Sequence, residues 1–340
     1  MLRDGRAWGG PRMSRGKRIA DRYELRTPIG HGAMGEVWES TDLRLQRPVA
    51  VKFIRPDLLD SEDGRRRVVR RFRREASALA GIDHPNVASV HDASEWAGLP
   101  YLVMQLVPGM ATLADVVEER GPFTVAEAAA AGTQIAAGLS ATHAARLVHR
   151  DLKPQNVMIA PNGSVKIIDF GLVAPLDAGP TRLTAAGEDI GTPDYRAPEQ
   201  SGGPHAVVDH RADLYSLGCL LHFMLTASRP FTAPTAALVL LAHREQPPTA
   251  LRSLRDDVPP DLEELVLQLL AKLPDDRPAH AAAVYARLAP HLPAPSPEAL
   301  RAPASGQEMD VTRPFRFPAS PLLPVGSPEG GSTSGAGAWG

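Results

Sequence analysis

The chain has 340 residues, of which 43% are hydrophobic and 22% charged, with a net charge of −2 at neutral pH. That composition is globular, with room for two domains or one large domain and a tail, and it provides no overall field that would favour nucleic acid or an acidic membrane. The single cysteine, Cys219, excludes an internal disulfide and a cysteine metal cluster. No run reaches the roughly 18 apolar residues of a membrane helix, and the basic N-terminus lacks the apolar core of a signal peptide. The expectation is a soluble, cytoplasmic protein with no membrane segment in this chain.

Residues 1–21 are Gly- and Arg-rich without periodicity and predict a disordered basic leader. A strand begins near Tyr23 and runs into Ile29-Gly30-His31-Gly32-Ala33-Met34-Gly35-Glu36-Val37-Trp38. Glycines at 30, 32 and 35 let the backbone turn sharply and aim N–H groups at phosphate oxygens. Alone, this pattern fits a plain glycine hairpin, a dinucleotide-binding turn or a phosphate lid. The dinucleotide reading wants a helix next, whereas residues 36–41 read as a second strand. Residues 49–54 form a short apolar strand with Lys52 embedded. If buried, its ammonium needs anionic partners; otherwise it is an edge lysine facing solvent.

Residues 61–80 predict a basic helix. Phe72, Ala76 and Leu79 make one buried stripe, with Glu75 on the same side. Its arginines read as a solvated face rather than a nucleic-acid contact. A buried strand spans 101–107 and breaks at Pro108-Gly109. Helices follow at 113–119 and 124–145, the second opened by a Thr124 N-cap with Glu127 completing a capping box.

The densest chemistry is His149-Arg150-Asp151-Leu152-Lys153-Pro154-Gln155-Asn156, which sets a carboxylate, a cation and an amide at fixed offsets between apolar stretches. A strand at 164–168 ends in Asp169-Phe170-Gly171. A loop rich in Ala, Gly, Pro and Thr then leads to Gly191-Thr192-Pro193-Asp194-Tyr195-Arg196-Ala197-Pro198-Glu199. An apolar helix begins at Arg211 and another spans 262–273, and Pro274-Asp275-Asp276-Arg277-Pro278 follows the second. The stretch 291–340 is dominated by Pro, Ala, Ser and Gly and predicts a disordered tail. Phe315 and Phe317, just after Val311-Thr312-Arg313-Pro314, mark a short docking or phosphorylation segment or, more readily, mere linker.

These motifs, in this order across residues 22–290, resemble the protein kinases, and Thr192 with Lys153 resembles the Ser/Thr branch, here the eukaryotic-like kinases of bacteria. The resemblance implies an α+β, two-lobed fold. The small lobe, about 22–104, carries an antiparallel sheet and helix C. The large lobe, about 108–290, is mainly helical. It also implies transfer of the γ-phosphate of ATP to Ser or Thr hydroxyls of protein substrates, with Mg²⁺ (or Mn²⁺) as the ion.

In that scheme Gly30 to Val37 cover the phosphates, with His31, Gly32, Ala33, Met34, Gly35 and Glu36 in the lid. Lys52, paired with Glu75, orients them. Ile29, Val37, Ala50, Met104 and Met158 line the adenine, whose edge meets the backbone of Gln105 and Val107. Most relatives carry an acidic residue where Gln105 stands. Asp151 positions the attacking hydroxyl, Lys153 neutralises the transferring group, and Asn156 and Asp169 hold the metal. Glu199 pairs with Arg277, Asp213 bonds the catalytic-loop backbone, and Leu79, Val90, His149 and Phe170 stack in a column. Thr181 and Thr184 are the candidate autophosphorylation sites of the activation loop, with Arg150 as a receiver for the phosphate. The family also suggests homodimers paired through the small lobes. Two other readings share the fold: a scaffold without transfer, against which Lys52, Asp151 and Asp169 all speak, and a small-molecule phosphotransferase, against which the 191–199 segment speaks.

Overall fold

The computed structural model describes residues 13–32, 35–54, 62–170, 193–202, 207–295 and 309–316. A six-stranded antiparallel sheet opens the chain: β1 (Arg18–Ile19), β2 (Tyr23–Gly32), β3 (Gly35–Asp42), β4 (Arg47–Ile54), β5 (Val90–Trp96) and β6 (Leu99–Gln105), in the order β1-β2-β3-β4-β6-β5. Side chains alternate across a strand, so each strand feeds two cores. Val49, Val51 and Phe53 enter an outer cluster with Ile19, Tyr23, Leu25, Trp38 and Tyr101. Ala50 and Ile54 face the main core, where helix α1 (Glu62–Ala80) contributes Phe72, Ala76 and Leu79. Lys52 alternates with the second set and therefore points to the inner side.

The rest is mainly helical. A small sheet of β7 (Ala111–Thr112), β8 (Val157–Ile159) and β9 (Val165–Ile167) sits among α2 (Leu113–Arg120), α3 (Val125–Ala144), α4 (Arg211–Thr226), α5 (Ala236–Glu245), α6 (Pro260–Leu269) and α7 (Ala281–Leu288). Thr124 and Glu127 form the expected capping box at the start of α3. The small side chains of α3 admit close neighbours: a Cβ at Gly132 would stand 2.8 Å from Leu221 and 3.0 Å from Leu288. The architecture is the α+β, two-part arrangement that the motifs imply.

Three expectations need correction. Residues 13–21 are not a leader. Met13 packs on the outer cluster, Gly16 N–H donates to Leu25 O (2.8 Å), Leu25 N–H to Lys17 O (2.9 Å), and β1 pairs with β2. Two strand residues carry no readable period, so this edge was invisible in the sequence. The tail reading fails at 309–316, where Val311 is fully buried against the main core. Helix α6 closes at Leu269 instead of continuing to 273. Helices α5 and α7 lacked a sequence-based prediction.

Candidate active site

The loop before α4 is held by one buried carboxylate. Asp213, in the first turn of α4, accepts the His149 N–H at Oδ2 and the Arg150 N–H at Oδ1, both at 2.8 Å, and lies 2.8 Å from His143 Nε2. Arg150 adopts a left-handed backbone (φ 65°), which those two bonds secure. Gln200 Nε2 donates to Arg150 O at 2.7 Å, tying the segment after Glu199 to the same loop. His149 is buried; its Nε2 lies 2.9 Å from Ile168 O and its ring 4.7 Å from that of Phe170. With buried Leu79 and half-buried Val90, these are the side chains of the expected column.

From that anchored loop Asp151 projects with its carboxylate one-third exposed. Its Oδ2 accepts from Lys153 Nζ at 2.8 Å and from Asn156 Nδ2 at 3.2 Å, and Asn156 Nδ2 also donates to Asp151 O at 2.7 Å. With its nitrogen committed to Asp151, Asn156 keeps its amide oxygen for another partner. Across the cleft, Lys52 Nζ is 2.9 Å from Asp169 Oδ2. Asp169 has a left-handed backbone (φ 56°), and its other oxygen, Oδ1, is buried and accepts no hydrogen bond among the described residues. A buried orphan carboxylate oxygen and an amide oxygen without a hydrogen-bond donor among the described residues are the kind of oxygen donors that suit a hard divalent cation.

The expected pairing of Lys52 with Glu75 is therefore replaced by one with Asp169. Glu75 is half-buried. It lines a cleft of about 260 Å³ between α1 and the 145–150 loop, together with Arg74, Leu79, Arg146, Arg150 and Phe170.

On the inner face of the six-stranded sheet Ala50 is paired with Met104 and Val37 with Lys52. Ala50, Met104 and Val107 are buried, Val37 and Met158 half-buried, and Ile29 exposed. Gln105 donates its N–H to Ser89 O (2.8 Å), and its side-chain Oε1 is buried without a partner among the described residues. In the glycine turn Gly30 pairs with Val37, His31 with Glu36 and Gly32 with Gly35. Gly35 has φ 150°, and a Cβ there would run into Phe53 O, so only glycine fits. Ala33, Met34, Gly171, Thr181, Thr184 and Thr192 lie outside the described residues.

Glu199 is clamped by both terminal nitrogens of Arg277, at 2.7 and 2.8 Å. Arg277 also donates to Ala271 O and Arg211 O. Asp194 is buried 2.7 Å from Arg229; burial pushes its carboxyl above the usual range while the guanidinium opposes that rise. Sequence reasoning overlooked His143 and Gln200. Neither belongs to a contiguous motif, and the only signal for His143 is a polar residue in an alanine-rich helix.

This arrangement, a glycine turn between β2 and β3, a lysine–aspartate pair and a carboxylate with lysine and asparagine at fixed offsets, holds the groups that phosphoryl transfer requires. The family model for the protein kinase domain matches residues 23–288, and the chain belongs to the protein kinase family. It is 37% identical over 327 residues to the serine/threonine-protein kinase PknB of Mycolicibacterium smegmatis, a match covering 90% of this chain and 51% of that protein. Against PknB of Mycobacterium tuberculosis the identity is 38% over 280 residues, covering 81% and 44%. The chain thus spans about half the length of the curated relatives it matches. Among solved structures, the M. tuberculosis PknI kinase domain superposes with a TM-score of 0.65 at 26% identity, covering 82% of this chain and 99% of that one. No helix among the described residues is long and apolar enough to cross a membrane.

Proposed function

We propose that the chain is an ATP-dependent serine/threonine protein kinase of bacterial signalling. The observation that carries this reading is the joining of Asp151, Lys153 and Asn156 by hydrogen bonds within reach of one anchored loop. Asp151 accepts the proton-bearing hydroxyl of a Ser or Thr side chain and aims its oxygen in line with the γ-phosphorus. Lys153, already on the same carboxylate, offsets the negative charge that grows on the transferred group. Lys52 holds the α- and β-phosphates, and the backbone N–H groups around Gly30, Gly32 and Gly35 cover them. Ala50, Met104, Val37 and Met158 enclose the adenine. Because the Gln105 N–H is already engaged by Ser89, its share of the adenine edge is the carbonyl, with the Val107 N–H as the second contact. Asn156 and Asp169 are the residues that would hold Mg²⁺, or Mn²⁺ in its place, and the ion would neutralise the β- and γ-phosphate oxygens.

The relatives' name points to protein substrates. Autophosphorylation at Thr181 or Thr184 raises activity in this proposal, and small-lobe pairing provides a homodimer. A reducing, cytoplasmic setting suits the single buried thiol of Cys219, which burial pushes well above its usual range. Phosphate incorporation from labelled ATP and Mg²⁺ tests the reading, comparing the chain with Asp151→Asn and mapping the label by mass spectrometry. Label on Ser or Thr that disappears in Asp151→Asn is the expected result. ATP binding without label in either protein would turn the reading towards a scaffold.

A further inference from the structure

Residues 309–316 lie on the large lobe between α3 and the turn joining β8 to β9. Val311 is fully buried, Thr312 is 6% exposed, and Met309 and Phe315 pack against the same core. The seat is shaped for this backbone. Gly163, at that turn with φ 79°, has Asp310 O where a Cβ would stand, and Pro314 Cδ only 3.2 Å from that position. The segment also folds on itself. Thr312 donates from N–H and Oγ1 to Asp310 Oδ1 (2.9 and 2.5 Å), and the N–H groups of Phe315 and Arg316 close one helical turn on Thr312 O (3.0 Å each).

Gln134 of α3 links this seat to the catalytic half of the molecule. Its Nε2 donates to Val311 O (3.3 Å) and Gly163 O (3.2 Å). Its Oε1 accepts from Val165 N–H (2.9 Å) and from Asn86 Nδ2 (3.1 Å). Asn86 in turn donates to Val165 O (2.8 Å) and accepts the Ile167 N–H (2.9 Å). Asn86 belongs to the turn that follows α1, and β9 runs directly towards Asp169. One buried amide therefore touches the tail, the foot of α1 and the strand that carries Asp169.

We propose that residues 309–316 are an intramolecular docking peptide, that the groove between α3 and the β8–β9 turn is its receptor, and that occupancy steadies the junction between Asn86 and Ile167. A passive linker would neither bury a valine completely nor satisfy a buried amide. Withdrawing the segment uncovers part of the core and takes an acceptor from Gln134, which loosens the bonds that share it. The occupant is this chain's own segment because covalent attachment keeps its local concentration high at any protein concentration. The inference rests on packing and requires no phosphoryl transfer.

Hydrogen exchange read by mass spectrometry on the full chain tests it. Amides of 309–316 should exchange at least about 10-fold more slowly than in a synthetic peptide of the same sequence. Val311→Asp should abolish that protection and speed exchange at 84–90 and 165–169, while α4 stays protected as the folding control. Val311→Ile should retain protection, and the peptide added to Val311→Asp should restore it at 84–90 and 165–169. Phe315→Ser, at a half-buried position, supplies a milder variant that must shift the same amides in the same direction. Wild-type amides at the peptide's rate would overturn the proposal. So would an unchanged junction in both variants. Protection that rises with protein concentration would place the segment on a second copy and overturn intramolecular docking.

Discussion

Lys52 Nζ lies 2.9 Å from Asp169 Oδ2, so a single ion pair joins the sheet above the cleft to the strand end below it. The pair takes up the carboxylate that would hold a metal, while Glu75 of α1 stands at the neighbouring cleft beside Arg150 and Phe170.

Lys52→Met should therefore lower the rate of phosphoryl transfer by about 10²-fold or more, the scale of losing one preorganised charge contact. Stability should fall as well, since the pair is mostly buried and removing the ammonium leaves the Asp169 carboxylate uncompensated. Labelling kinetics and thermal melts on the same preparations separate the two effects.

Asp213 has no exposed surface and serves three donors at once. Asp213→Ala strands two buried N–H groups and should cost about 3 kcal/mol or more. Asp213→Asn keeps one acceptor oxygen and should cost less. Transfer should fall in both, because Asp151 hangs on the loop that Asp213 fixes. Denaturant unfolding beside the labelling assay would show stability and activity declining together.

Glu199 and Arg277 form a buried bidentate pair. Removing either partner leaves an uncompensated charge, so Glu199→Gln and Arg277→Met should each destabilise by about 3–5 kcal/mol. In a domain of this size that corresponds to a Tm drop of about 6–20 °C. A double Glu199→Leu/Arg277→Met variant should recover part of the loss, as scanning calorimetry would reveal.

His243 is buried against Tyr215 and Phe231, with Tyr215 Oη 2.8 Å from its Nδ1. Burial, with Lys272 adding to it, holds its pKa down at about 4, against 6.5 for an ordinary histidine. The folded chain thus keeps this ring neutral where the unfolded chain binds a proton. Stability should be level above pH 6.5 and decline as pH falls towards 4, by up to about 3 kcal/mol. Buried His222 is shifted in the same direction, again by burial. Urea unfolding at pH 7.5 and pH 5 should show about 2 kcal/mol of that loss, and His243→Gln should reduce it.

The sequence by itself determined the chemistry carried on short spacings. The glycine turn, Lys52 in its strand, the run from His149 to Asn156, Asp169 and the Thr124 capping box are all local patterns, because loops that meet phosphates and helix ends that need acceptors draw their groups from a few consecutive residues. Only the tertiary structure decided which carboxylate meets Lys52. Glu75 and Asp169 are equally acidic in sequence, and the choice rests on the left-handed backbone at Asp169 and the seating of α1. It also decided that His143 supports Asp213, that residues 13–19 extend the six-stranded sheet, and that Val311 closes the core through Gln134. Those contacts join residues far apart in the chain, and burial and shape, which no local period encodes, bring them together.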